Sequence, residues 1–143
     1  MAAPTEAEIR SLLRAHGLSA SVPRVAIYGW LVANKVHPTA ETIYKALRPQ
    51  MKSLSRTTVY NVLHAFAERG LCQTVHTEDL ELRYDGECHR HAHFKCTQCG
   101  SLEDLGAIPS TLPQRLGVPT GARTQEVALI FRGLCAACAA KQA

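Results

Sequence analysis

Two imidazoles and two thiols fall within nine residues at His91-x-His93-x-x-Cys96-x-x-Cys99. Strand residues alternate faces, so His91 and His93 are expected to project from one side while Cys96 and Cys99 close a turn. A second pair, Cys135-x-x-Cys138, completes four thiolates, the complement of a tetrahedral structural zinc. A redox pair is the minor competitor for such a motif. The imidazoles are then available to another ion. Asp85 and Asp104 flank them, and a mixed nitrogen and carboxylate set suits iron(II) or manganese better than a thiolate cage does. The chain therefore reads as carrying a structural Zn2+ and, separately, an Fe2+ or Mn2+. A lone histidine is usually a satisfied core or surface residue, so His16, His64, His76 and His89 receive no metal role.

These side chains must be held by helices and strands whose signals are local. Thr5-x-x-Glu8 is a capping box, and Ile9, Leu12 and Leu13 form an apolar stripe ending before Gly17. Ser21 is expected to cap a second helix, with Pro23 in its first turn and Ile27, Trp30 and Leu31 buried. His37-Pro38 breaks it, Thr39 caps a third helix with Glu41 near its positive end, and Pro49 ends that one. Ser55 and Gly70 bound a fourth helix with two stripes. Val59, Val62, Leu63 and Phe66 repeat at i, i+3, i+4 and i+7 and should be buried. Thr57, Tyr60, Asn61 and His64 repeat on another face, with Arg56 at the helix start and no acid among them. Such a face offers hydrogen bonds to a major groove; a merely solvated helix face is the plainer alternative.

Beyond Gly70, Leu71–Val75 and Leu80–Tyr84 look like a hairpin, since Leu80, Leu82 and Tyr84 alternate with Glu81 and Arg83. Helices followed by a two-stranded ribbon make a winged helix, whose fourth helix enters the groove. The predicted fold is α+β: a winged-helix DNA-binding domain over 1–84, a hinge over 85–88, and a small α/β dimerisation and metal-binding domain over 89–143. Within the latter the pattern predicts strands His91–Cys96 and Leu102–Leu105, a short helix near Ser110–Leu116, and a strand Arg123–Arg132 with Val127, Leu129 and Phe131 on one face. So small a region needs a metal staple or a partner chain. The spare apolar face argues for a homodimer.

Charge agrees with a nucleic-acid partner. Residues 21–76 hold seven Lys or Arg against two Glu, a local balance of +5 in a chain of net charge +4. No run of about 18 apolar residues occurs, so no membrane insertion is expected; nor does a signal-like start, and the cytoplasm is the default. Cysteines there are expected to be reduced or metal-bound.

The segments His37-Pro38-Thr39-Ala40-Glu41-x-Ile43-Tyr44, Thr58-Val59-Tyr60, Gly70-Leu71, His91-x-His93-Phe94-x-Cys96-x-x-Cys99-Gly100 and the last Cys-x-x-Cys together resemble the ferric uptake regulator family of metal-sensing repressors. The resemblance is strongest to its peroxide-sensing branch, with Asp104 and Asn61 as branch-like positions. It implies a regulatory site made by His37, Asp85, His91, His93 and Asp104, and a homodimer that binds palindromic operator DNA. It also implies an off-switch in which peroxide and bound iron oxidise His37 or His91. Val127 stands where iron-sensing relatives carry a histidine. Zinc-sensing relatives use a cysteine among the sensory ligands, but Asp85 rather than Cys88 occupies the ligand position. Cys88 then reads as a spectator and Cys72 as a small buried residue.

An ion held by both domains would set the distance between two recognition helices, which must match half-sites roughly 34–36 Å apart. Three alternatives compete. One is an iron- or zinc-responsive repressor of metal uptake without peroxide sensing. Another is a zinc or iron metalloenzyme, disfavoured because five protein ligands leave little room at the ion and no spare acid or nucleophile is evident nearby. The last is a zinc-stapled interaction module with no DNA role.

Overall fold

The computed structural model describes residues 2–76, 81–86, 90–125 and 127–142. The chain divides into two compact units, Met1–Cys88 and His89–Ala143. Among the described residues no helix is long and apolar enough to cross a membrane.

The first unit contains α1 (Glu6–Ala15), α2 (Val22–Ala33), α3 (Ala40–Leu47), α4 (Arg56–Glu68), β1 (Gln73–His76) and β2 (Leu82–Asp85). Their starts follow the caps. Thr5 and Glu8 form the reciprocal capping box of α1, Thr39 accepts from the Thr42 amide, and Ser55 Oγ accepts from the Thr58 amide at 3.1 Å. Ser21 stands at the start of α2 but makes no side-chain cap bond. Pro23, at the second helical position, removes one of the two amides such a cap could engage and leaves that of Arg24. Gly17 and Gly70 close α1 and α4 in the left-handed conformation, with φ of 75° and 74°.

The core of this unit gathers Leu13, Ile27, Leu31, Ile43, Val59, Leu63 and Phe66, all essentially without solvent exposure. Trp30 is only half-buried and packs on the core from outside. The Tyr28 and Phe66 rings meet edge to face at 5.8 Å. Cys72 is buried, with its thiol 3.9 Å from the Leu63 carbonyl. The cap of α4 permits a simple check. Ser55→Ala is expected to lower stability by about 1 kcal/mol, read from the midpoint of urea unfolding.

Strands β1 and β2 pair antiparallel, from Gln73 opposite Asp85 to His76 opposite Leu82. The expected first strand thus begins two residues later than Leu71, and Leu80 lies outside the described residues. Strand β2 also touches the segment before α3. Thr39 bridges Arg83, and the Tyr84 amide donates to the Pro38 carbonyl at 2.9 Å.

The second unit holds β3 (His91–Cys96), β4 (Leu102–Ala107), α5 (Leu112–Arg115), β5 (Ile130–Gly133) and α6 (Ala136–Lys141). Its sheet has the order β4-β3-β5, antiparallel on one side of β3 and parallel on the other. The strand expected over Arg123–Arg132 is much shorter. β5 pairs only from His93–Ile130 to Cys96–Gly133; the two strands run parallel and β3 begins at His91, opposite position 128 in this register, so the first residues of the expected strand have no β3 residue to pair with. Val127 precedes β5, and the Leu129 carbonyl accepts from the His93 amide at 3.0 Å.

Candidate metal centres and nucleic-acid interface

The thiol cluster is built from backbone. Cys96 ends β3, Gly100 turns with φ of 78°, and the Gly100 amide returns to the Cys96 carbonyl at 3.1 Å. Cys135 stands at the N-terminal cap of α6, and Cys138 is buried in its first turn. The ligand sulfurs of Cys96, Cys99, Cys135 and Cys138 all lie within 4.8 Å of one another, with Cys99 and Cys135 Sγ at 3.9 Å. A tetrahedral zinc with Zn–S of about 2.3 Å separates its sulfurs by about 3.8 Å, so the donor set fits that ion. None of the four is in a disulfide.

Electrostatics divide the cluster. The amides of Cys135 and Cys99 donate to Cys96 Sγ at 3.4 and 3.5 Å and push its pKa down to about 6. Ser101 lowers that of Cys99. Cys138 is pushed up to about 12, first by its hydrogen bond with Cys135 and then by burial. Without a cation, several thiolates this close cannot all be charged, and Cys138 keeps its proton; a divalent ion removes that reason.

A nitrogen and carboxylate group lies on the same sheet. His91 and His93 are both buried, with ring centroids 4.5 Å apart. Asp104 sits directly opposite His93 in the β3–β4 register, and its Oδ1 lies 2.9 Å from His91 Nε2 and 3.2 Å from His93 Nε2. An irregularity between His91 and His93 interrupts that register. Neighbouring ligands of an ion at about 2.1 Å are about 3 Å apart, so this trio has ligand spacing.

In the first unit, His37 and Asp85 form a second such group. Nε2 of His37 lies 3.3 Å from Asp85 Oδ2, and both side chains are buried. Asp85 is the last residue of β2, and the pairing of β2 with Pro38 and Thr39 brings His37 to it. His37 has φ of 51°, the sole positive value for a non-glycine among the described residues. A residue before proline favours extended backbone, so this conformation is held against local preference, a pattern concentrated at functional sites.

On α4, Arg56, Thr57, Tyr60, Asn61 and His64 are all exposed, Tyr60 by 52%. Two acids join this surface, contrary to its acid-free appearance in sequence. Glu68 lies one turn beyond His64, and its Oε1 is 3.3 Å from His64 Nε2. Glu41 of α3 grips Arg56, with Nε to Oε2 at 2.9 Å and Nη2 to Oε1 at 3.0 Å. The guanidinium holds the Glu41 carboxyl below its usual range, and the carboxylate raises the pKa of Arg56. Arg56 Cζ also lies 4.5 Å from the centre of the Tyr44 ring. Sequence reading missed Glu41 and Tyr44 as partners of Arg56, since no helical or strand period links positions so far apart. Cys88 lies outside the described residues.

Comparison with known proteins agrees with these features. Residues 15–129 match the Ferric uptake regulator family. The peroxide-responsive repressor PerR of Staphylococcus saprophyticus is 38% identical over 93 residues, which is 65% of this chain and 63% of that protein. This chain thus matches under two thirds of the length of that curated relative. The ferric uptake regulator of Pseudomonas aeruginosa, solved with manganese, is 25% identical with a TM-score of 0.70, over 90% of this chain and 98% of that one. PerR from Streptococcus pyogenes is 26% identical with a TM-score of 0.51, over 90% of this chain and 88% of that one. With most of its length matched to that family, and with the family's cysteine and histidine motifs grouped in space, this chain belongs to the ferric uptake regulator family.

Proposed function

We propose that this protein is a metal-dependent transcriptional repressor that binds palindromic operator DNA as a homodimer in the cytoplasm and senses hydrogen peroxide through a histidine ligand. The observation that carries the reading is the preassembled spacing of nitrogen and carboxylate donors: His91, His93 and Asp104 in one unit, His37 and Asp85 in the other. In this reading all five serve one regulatory Fe2+ or Mn2+, while Cys96, Cys99, Cys135 and Cys138 hold a structural Zn2+. The likeness to peroxide-responsive repressors supports the choice of signal.

Each residue has a task. Asp104 bridges the two imidazoles and orients both Nε2 atoms toward a shared point. Asp85 does the same for His37. Arg56, Thr57, Tyr60, Asn61 and His64 present the recognition surface, with α4 capped at Ser55 to hold it rigid. Phe131 and Leu105, exposed on the sheet of the second unit, supply apolar surface for a second copy. Bound iron would supply the chemistry by which peroxide oxidises His37 or His91; manganese would support DNA binding without it. Loss of a ligand nitrogen then removes the metal's preference for the DNA-competent arrangement.

The test compares affinity for operator DNA of manganese- and iron-loaded protein before and after a low dose of peroxide. Loss with iron alone, accompanied by added oxygen on the His37 or His91 peptide in mass spectrometry, is the expected result. Loss with neither metal would make the protein a plain metal sensor.

A further inference from the structure

The grip of Glu41 on Arg56 engages one edge of a planar guanidinium and leaves the other. Nε and Nη2 donate to the carboxylate, while among the described residues Nη1 donates to nothing. The Tyr44 ring lies against the guanidinium at 4.5 Å and is itself held, since Arg48 Nε donates to Tyr44 Oη at 3.1 Å. Edge and face are therefore both fixed by side chains from α3. The remaining edge, Nη1 with the second hydrogen of Nη2, is the end-on fork that matches O6 and N7 of guanine in a major groove. Arg56 is the first residue of α4 and stands one turn before Tyr60 and two before His64 on the same side of the helix.

We propose that Arg56 reads a guanine in each operator half-site through its end-on fork, and that Glu41 and Tyr44 are positioning residues that set specificity by withholding Arg56 from phosphates. This rests on the DNA-binding reading above and adds the base and the residues that select it. An arginine free to swing would bind phosphates of any sequence and strengthen non-specific binding. A guanidinium clamped at one edge and stacked on one face has given up that freedom before DNA arrives, so less ordering remains to be done at the base. Glu41 also places a negative charge where a phosphate would otherwise pair, which penalises the wrong contact.

The test uses full-length, zinc-replete, manganese-loaded protein and duplexes selected by it from a randomised pool. Each guanine is replaced in turn by 7-deazaguanine, which lacks the N7 acceptor. One guanine per half-site is expected to cost about tenfold in affinity for the wild type and nothing for Arg56→Ala, which has no donor to offer N7. Glu41→Gln is expected to lower the ratio of affinities for selected and scrambled duplexes about fivefold and to steepen the salt dependence by about one phosphate contact. Zinc content and thermal midpoint confirm folding of each variant. The proposal is overturned if no guanine is sensitive to loss of N7, or if the sensitivity survives Arg56→Ala. It is equally overturned if Glu41→Gln raises affinity for selected and scrambled duplexes alike, which would make Glu41 a simple decoy. Failure of the wild type to bind any selected duplex would sink the DNA-binding reading itself.

Discussion

Removing zinc from the Cys96, Cys99, Cys135 and Cys138 cluster is expected to unfold residues 89–143 while the helices of residues 2–76 stay folded. The two units differ in what holds them. The main apolar core lies entirely between Ile9 and Tyr84, whereas among the described residues of the second unit the buried apolar ones are Ala92, Cys96 and Cys138. Two of those three are proposed zinc ligands. The helices of this unit have only four and six residues, too short to persist alone in water. A structural zinc contributes roughly 10–16 kcal/mol of apparent binding energy, more than the whole stability of most small domains.

Peptide-resolved hydrogen exchange after chelation should therefore show β3 and β5 losing protection while α2 and α4 keep theirs. Cys138→Ser should do the same without a chelator. Retained protection of β3 in zinc-free protein would end the idea. The acid side has a defined sign. A thiol whose folded pKa is depressed contributes stability above its unfolded value that is lost as pH falls through the folded value, and for Cys96 that value is about 6. Cys138, raised to about 12, must release a proton to bind the ion, so zinc retention weakens as pH falls.

His37→Gly should leave metal at His91, His93 and Asp104 yet abolish the effect of that metal on DNA affinity, a loss of about 5- to 150-fold in metal-stimulated binding. Glycine is the informative replacement because it accepts the left-handed backbone at position 37 without steric cost, so only the imidazole is lost. The prediction follows from placing the two donor groups in different units. His93→Ala, which removes a ligand from the trio, should instead lower metal affinity itself. Manganese titration with DNA binding as the readout separates the cases. If His37→Gly retains full metal stimulation, His37 is no part of the switch, and the ligand set shrinks to the second unit and Asp85.

Much of this molecule is legible one segment at a time. Caps at Thr5, Thr39 and Ser55, together with apolar stripes such as Val59, Val62, Leu63 and Phe66, define α1, α3 and α4 because helix signals span only a few residues. The spacing Cys-x-x-Cys and the alternation of His91 and His93 likewise announce their ligands locally. Strand length was not local. Alternating Val127, Leu129 and Phe131 looks like strand, but a strand lasts only as long as its neighbour offers hydrogen bonds, and in the parallel register β3 begins only opposite position 128. Only the register of β4 against β3 puts Asp104 opposite His93, and only the return of β2 past Pro38 puts Asp85 beside His37. The hold of Glu41 and Tyr44 on Arg56 belongs to the same class, since it joins two helices through side chains fifteen and twelve positions apart. Sequence determined which residues could ligate or cap, because those are properties of single side chains and short periods; the tertiary structure alone decided which of them meet, because chain pairing is a long-range outcome of burying one core.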